Sequence, residues 1–169
     1  MNQCVIRRVR PEDVPAVVSM VHELAEFERM AHECHLTEEQ LQAALFYPEP
    51  ALFGHVAADP ASDQPIGFAL WFLNFSTWEG VHGIWLEDLY VRPAARGAGA
   101  GQALLAALAG VCADRGYRRL DWWVLDWNVD ALRFYHRLGA DAMDAWTVHR
   151  LTGDPLSRLA SHAVPSGQA

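Results

Sequence analysis

The 169-residue chain carries 21 acidic side chains against 13 arginines and no lysine, for a formal charge of -8. A nucleic-acid or anionic-membrane surface would lack its usual electrostatic footing, and cationic partners suit the chain better. With 51% hydrophobic residues it can bury one substantial core, which excludes disorder except in the tail after about Pro155. Three scattered cysteines, Cys4, Cys34 and Cys112, form no disulfide framework. The opening MNQCVIRRVR has no apolar leader, and no apolar run reaches the ~20 residues a bilayer requires, so a cytoplasmic protein is expected.

In chain order, alternation from Cys4 to Val9 predicts a first strand. Pro11 then stands at a helix start, followed by Val14, Val17, Val18, Val21, Leu24 and Phe27 at helical spacing. The TEEQ at Thr37 to Gln40 has the form of a capping box opening a second helix that Pro48 stops. ALFGHVAA, IGFALWFLNF and VHGIWLEDLYV read as three antiparallel strands separated by turn-rich segments. Leu104, Leu105, Leu108 and Val111 mark a helix ending near Gly116, RRLDWWVLDW reads as another strand, NVDALRFYHRLGA as a short helix closed by Gly139, and AWTVHRL as a last strand. A single α/β domain over residues 1–155 follows, with hairpins first and strand–helix crossovers later, and residues 156–169 as a partly disordered tail.

Between strand and helix lies VRPAARGAGAGQ. Gly97, Gly99 and Gly101, separated only by alanine, leave backbone amides free to line one concavity, and the helix that starts there adds its own unpaired amides and positive dipole end. An anion such as a pyrophosphate fits, with Arg96 placed to add a formal charge. The loop is not a Walker loop, because no Lys-Ser/Thr follows, nor a dinucleotide fingerprint, because it follows antiparallel hairpins. Small residues before a helix also serve close packing, so the loop alone does not choose between the two roles.

LEDLYVRPAARGAGAG together with WNVDALRFYHRLGA resembles the GCN5-related N-acetyltransferase (GNAT) family, whose motif R/Q-x-x-G-x-G/A is filled by Arg96 to Gly101. ELAEFERM, IGFALWFLNFSTWEG, WLEDLYV and RFYHRLGA extend the likeness to the diamine (spermidine/spermine) N-acetyltransferase branch over nearly the whole chain. The resemblance implies a twisted, mixed but mostly antiparallel sheet of about seven strands flanked by about four helices, and a homodimer. It also implies acetyl-CoA as co-substrate, in a V between the strand ending at Val91 and the strand ending near Leu125. Its contacts would come from Leu89, Tyr90, Val91, Arg96, Gly97, Ala98, Gly99, Ala100, Gly101, Gln102, Asn128, Asp130, Ala131 and Tyr135.

Acetylating an alkylamine requires removing a proton held until pH ~10, which calls for a base. Glu87 and Asp88 are neighbours on a strand and so are expected on opposite faces. Glu87, in phase with Val91, is the expected base, and the resemblance places Asp88 beside the amine. A backbone amide left unpaired by a splayed strand would steady the developing oxyanion, and the resemblance assigns that donor to Leu89 or Val91. Tyr135, the tyrosine of the family's F-Y-x-x-x-G pattern, would protonate the leaving thiolate. Asn128 is both a good N-cap and the family's cofactor-binding asparagine. Cys112, inside a leucine-rich helix, looks buried, so direct attack in a ternary complex is expected instead of an acetyl-cysteine.

For the acceptor, Glu26, Glu28, Glu87 and Asp88 with Trp78 are expected to form an acidic cleft with an aromatic wall, suited to a diamine, a polyamine or a lysine-like amino acid. Phe27, Glu28, Trp78, Glu87 and Asp88 are the residues expected to bind it. HECH at His32 to His35 lacks metal-ligand spacing, and no metal is expected. Two other readings compete. A protein or peptide acetyltransferase would need an open groove, and a non-enzymatic acyl-CoA sensor would keep the glycine loop but not require Glu87 and Tyr135.

Overall fold

Thr37 caps its helix as its sequence dictates. Its hydroxyl accepts from the Gln40 amide at 3.3 Å while the Gln40 side chain accepts from the Thr37 amide at 3.0 Å, two first-turn donors satisfied reciprocally. The computed structural model describes residues 4–163. In it β1 (Val5–Arg8) leads through a 3-10 turn at Pro11–Asp13 into α1 (Val14–Phe27), and α2 (Glu38–Phe46) follows. Next come β2 (Phe53–Ala58), β3 (Pro65–Ser76) and β4 (Val81–Val91). The chain then forms α3 (Ala100–Arg115), β5 (Leu120–Trp122), α4 (Val129–Arg137) and α5 (Gly153–Ala160).

The strands form one sheet in sequence order, β1 to β5, antiparallel except for the final β4–β5 pair, which is parallel across the α3 crossover. On one face, Val14, Val17, Val18 and Met20 of α1 and Leu41 and Leu45 of α2 close over Val56, Phe68, Leu70 and Tyr90. Each such buried side chain contributes about 1.5–3 kcal/mol. Residues alternate across a strand, so Ala57, Ala69 and Trp71 face the other side. There α3 packs on β2, β3 and β4 with Leu104, Leu105 and Leu108 buried. Gly116 ends α3 at φ +69, the left-handed cap expected of a glycine there.

The chain divides into two compact units, one ending at Trp123 and the other beginning at Val124. The second holds α4 and α5. Asn128 caps α4, its Oδ1 accepting from the Ala131 amide at 3.2 Å, and Gly139 follows the helix at φ +85.

The described residues hold five strands and five α-helices, not about seven strands and four helices. RRLDWWVLDW contributes only the three residues of β5, since the parallel ladder stops at Leu86↔Trp122. AWTVHRL is not a strand among the described residues. Alternation makes a segment fit for a sheet, but a strand also needs an edge to pair with. Helix α5 occupies the segment read as the start of a tail, and the residues after Ala163 lie outside those described.

Candidate active site

The site begins at a register fault. Along β3 and β4, Leu70 faces Asp88 but Trp71 faces Leu86, so Glu87 is an extra residue with no opposite number. This is a β-bulge, in which two residues share one partner and strict alternation fails. Asp88 lies opposite Leu70, on the α1 face. Trp85, opposite Phe72, shares that face, and its indole Nε1 donates to Glu87 Oε2 at 3.0 Å. Glu87 and Asp88 therefore project to the same side. The expectation of opposite faces is corrected here, as is the phase of Glu87 with Val91: Leu89 and Val91 pair with Ala69 and Gly67 on the α3 face.

The carboxylates differ in environment. Glu87 is exposed, whereas Asp88 and Glu28 are partly buried. Asp88 is pushed up to about 7, first by burial and then by the charges of Glu87 and Glu28. Burial also raises Glu28. Desolvation and like charge both disfavour the carboxylate form, so Asp88 exchanges its proton near neutrality. A carboxyl group so tuned is matched to general base work.

Just past the bulge the sheet opens. Strand β5 pairs with β4 only from Ile84 to Leu86, so the stretch carrying Leu89, Tyr90 and Val91 lies beyond the parallel ladder. The glycine loop follows at once. Gly97 and Gly99 take φ +80 and +86, and no heavy atom lies within 4 Å of where a Cβ would stand on either. Their conformation demands glycine while the space beside them stays open. Gly99 is the N-cap of the 16-residue α3 with no side-chain cap. The first-turn amides of Ala100, Gly101 and Gln102 have no intrahelical partner, and next to the open backbone at Gly97 and Gly99 they are donors of the kind that bind an anion.

Arg96 does something the sequence does not announce. Its Nε donates to the Val91 carbonyl at 2.8 Å, and its guanidinium lies over the rings of Tyr90 at 5.5 Å and Phe27 at 5.7 Å. It clasps the loop to the end of β4 and to the last residue of α1. A further residue joins here. Glu23 of α1 accepts from the Tyr90 hydroxyl at 3.2 Å and from Arg92 Nε at 3.2 Å. Sequence reasoning passed over Glu23, although an acid four residues before Phe27 on the same helical face was a signal for it.

One expected member stands apart. Trp78 is 89% exposed at the β3–β4 turn, and Glu87 lies six residues along β4 from Val81, about 20 Å at strand rise. Trp78 thus walls no cleft around the acids of its own chain. A separate open hollow, lined by Ser76, Trp78, Glu79, Arg118 and Arg119, borders it. In the second unit, α4 carries Asn128 at its cap, Asp130 paired with Arg133 at 3.7 Å, Ala131, and Tyr135, whose ring tilts against Phe134 at 5.2 Å. Cys112 is buried, its thiol raised by burial and directed to the Arg119 carbonyl at 3.7 Å, so it is no activated nucleophile. Among the described residues no cluster of His, Cys, Asp and Glu has the makings of a metal site, and no helix is long and apolar enough to cross a membrane.

Comparison with known proteins accords with this arrangement. The Acetyltransferase (GNAT) family model matches residues 18–140. Thialysine N-epsilon-acetyltransferase of Mus musculus is 34% identical over 92% of this chain and 96% of its own. L-ornithine N5-acetyltransferase NATA1 of Arabidopsis thaliana is 31% identical over 91% of this chain and 86% of its own. Among solved structures, an integron cassette protein from V. cholerae superposes with a TM-score of 0.77 at 26% identity, covering 94% of this chain and 98% of that one.

Proposed function

Since the chain belongs to the acetyltransferase (GNAT) family, we propose that it acetylates a primary amine of a small cationic acceptor, a diamine, polyamine or lysine-like amino acid, by direct attack in a ternary complex. The similarity to enzymes named for thialysine and ornithine supports that acceptor class. The observation that carries the reading is Asp88, held near pH 7 between Glu28 and Glu87 where β4 leaves its parallel partner.

Acetyl-CoA, when bound, supplies an acetyl group activated as a thioester. The amides from Gly97 to Gln102 would hold its pyrophosphate, with Arg96, bonded to the Val91 carbonyl, keeping the loop in place. By the family resemblance, Asn128, Asp130, Ala131 and Tyr135 of α4 would add further cofactor contacts. The ammonium of the acceptor settles against Glu28, Glu87 and Asp88, with the Phe27 ring beside them. Its charge favours the ionised form of Asp88, which then draws off the ammonium proton with Glu87 as the exposed carboxylate that passes it to water. By the same resemblance, a backbone amide of Leu89 or Val91 would steady the carbonyl oxygen, and the Tyr135 hydroxyl would supply the proton for the leaving thiolate. The working unit is a homodimer.

The test is coenzyme A release across a panel of diamines, polyamines and lysine analogues. Release should require acetyl-CoA and amine together, and Glu87→Gln and Tyr135→Phe should each slow it. Amine-independent acetylation of a cysteine, or variants that turn over every amine at the parent rate, would reject the assignment.

A further inference from the structure

Directly across the sheet from the bulge is a buried polar pair that neither the glycine loop nor the acids account for. Trp71, 2% exposed, donates from Nε1 to Nδ1 of His55, 8% exposed, at 3.1 Å. Phe53 stacks on the same indole at 4.7 Å and 28°. To accept that bond, the His55 ring must be neutral with its proton on Nε2. Burial, with Arg8 of the neighbouring strand, favours the neutral form. Histidine and indole thus lock one another, and loss of either partner would strand a buried polar group.

Trp71 is also the residue at which the register changes. A bulge has no intrinsic anchor. It can slide along a ladder, and each step reassigns which side chains face which layer. Slid two residues toward Val91, this one would turn Asp88 to the α3 face, away from Glu28; slid two residues toward Val81, it would turn Glu87 there instead, so either step separates Asp88 from Glu87. Something must therefore pin β3 at Trp71. We infer that the His55–Trp71 hydrogen bond is a positioning device for acetyl transfer: it fixes the bulge so that Glu87 and Asp88 project together. His55 touches no substrate and acts only through Trp71 and the register. The inference rests on the proposed role of Asp88.

The experiment compares His55→Leu, His55→Gln and the double variant His55→Leu/Trp71→Phe with the parent enzyme. Steady-state rates are measured across pH 5 to 9, and the Asp88 carboxyl is titrated by NMR in protein labelled at aspartate. The groups facing Asp88 are Glu87 on its own strand and Glu28 after α1, with Leu70 opposite on β3; none is altered. His55→Leu should lower kcat roughly 10- to 100-fold with the KM for acetyl-CoA unchanged, and should move the Asp88 titration from about 7 toward the ordinary carboxylate range. Gln, whose amide oxygen can accept from the indole, should restore both. The double variant, free of the stranded donor, should recover melting temperature but not kcat. Parent-like kcat and titration in His55→Leu would overturn the inference, and so would recovery of kcat in the double variant. An Asp88→Asn variant as active as the parent would instead defeat the proposed function, leaving the NMR titration to judge the bond by the same two outcomes.

Discussion

Arg96 binds the Val91 carbonyl at 2.8 Å and lies over the rings of Phe27 and Tyr90. One guanidinium thereby ties the glycine loop to the end of the strand that bears Asp88 and to the end of α1, one residue before Glu28. Loop and acids are not independent parts.

Arg96→Met should therefore raise the KM for acetyl-CoA about tenfold or more, since a charge-assisted hydrogen bond and a cation–π contact together are worth about 2 kcal/mol. Arg96→Lys should recover little, because an ammonium lacks the planar fork that bonds a carbonyl while stacking on rings. Equilibrium binding of coenzyme A checks both, and a fully competent lysine variant would mean that only the charge matters.

The glycines separate two costs. At Gly99, φ is +86 with open space around it, so Gly99→Ala pays only the left-handed strain of about 1–2 kcal/mol and should weaken coenzyme A binding while the fold survives. Gly110 lies within α3, also with open space and without a positive φ. Gly110→Ala should raise stability by about 0.5–1 kcal/mol and leave binding unchanged. Denaturant midpoints and coenzyme A titrations on the two variants check this contrast.

Asp88 makes stability run against pH. Its carboxyl titrates near 7 in the folded chain, above its ordinary value of 3.8, so between those limits the folded state binds more protons than the unfolded one. Stability conferred by the protonated form is progressively lost as pH rises from about 4 to 7, and the ionised group strains the fold fully above 7. Asp88→Asn should melt several degrees higher than the parent at pH 8, with the gap narrowing toward pH 4. The same variant should lose amine turnover by about 10²-fold or more. Thermal melts at pH 4.5, 6 and 8 check the sign: a gap that widens in acid would contradict the burial of Asp88.

Much of the frame was legible because its signals are local. The Thr37 capping box, the Gly116 stop, the three hairpin strands and the glycine loop each depend on a few adjacent residues, and each formed as its sequence implies. The bulge was not legible, because which residue lacks a partner is a property of two strands in register. Strict alternation then put Glu87 and Asp88 on opposite faces. Asp88's proton affinity was hidden for a related reason: it depends on Glu28, sixty residues away in sequence, and on burial that only the assembled sheet provides. The Ala145 to Leu151 segment shows the converse limit, a strand-like pattern without strand pairing among the described residues.

The same carboxyl group offers a direct test of where the acceptor binds. At pH 7 Asp88 is about half protonated, and a cation placed against it favours the ionised form. Binding of a diamine without acetyl-CoA should therefore expel up to about half a proton per site at pH 7. Fewer should be released at pH 8.5, where Asp88 is already ionised. Calorimetry in two buffers of different ionisation enthalpy reads that number directly. In Asp88→Asn the release should vanish, while Glu87→Gln, which removes a group exposed to water, should weaken binding and retain most of it. Proton release that persists in Asp88→Asn would move the acceptor's ammonium to another carboxyl group, with Glu28, itself raised by burial, next in line.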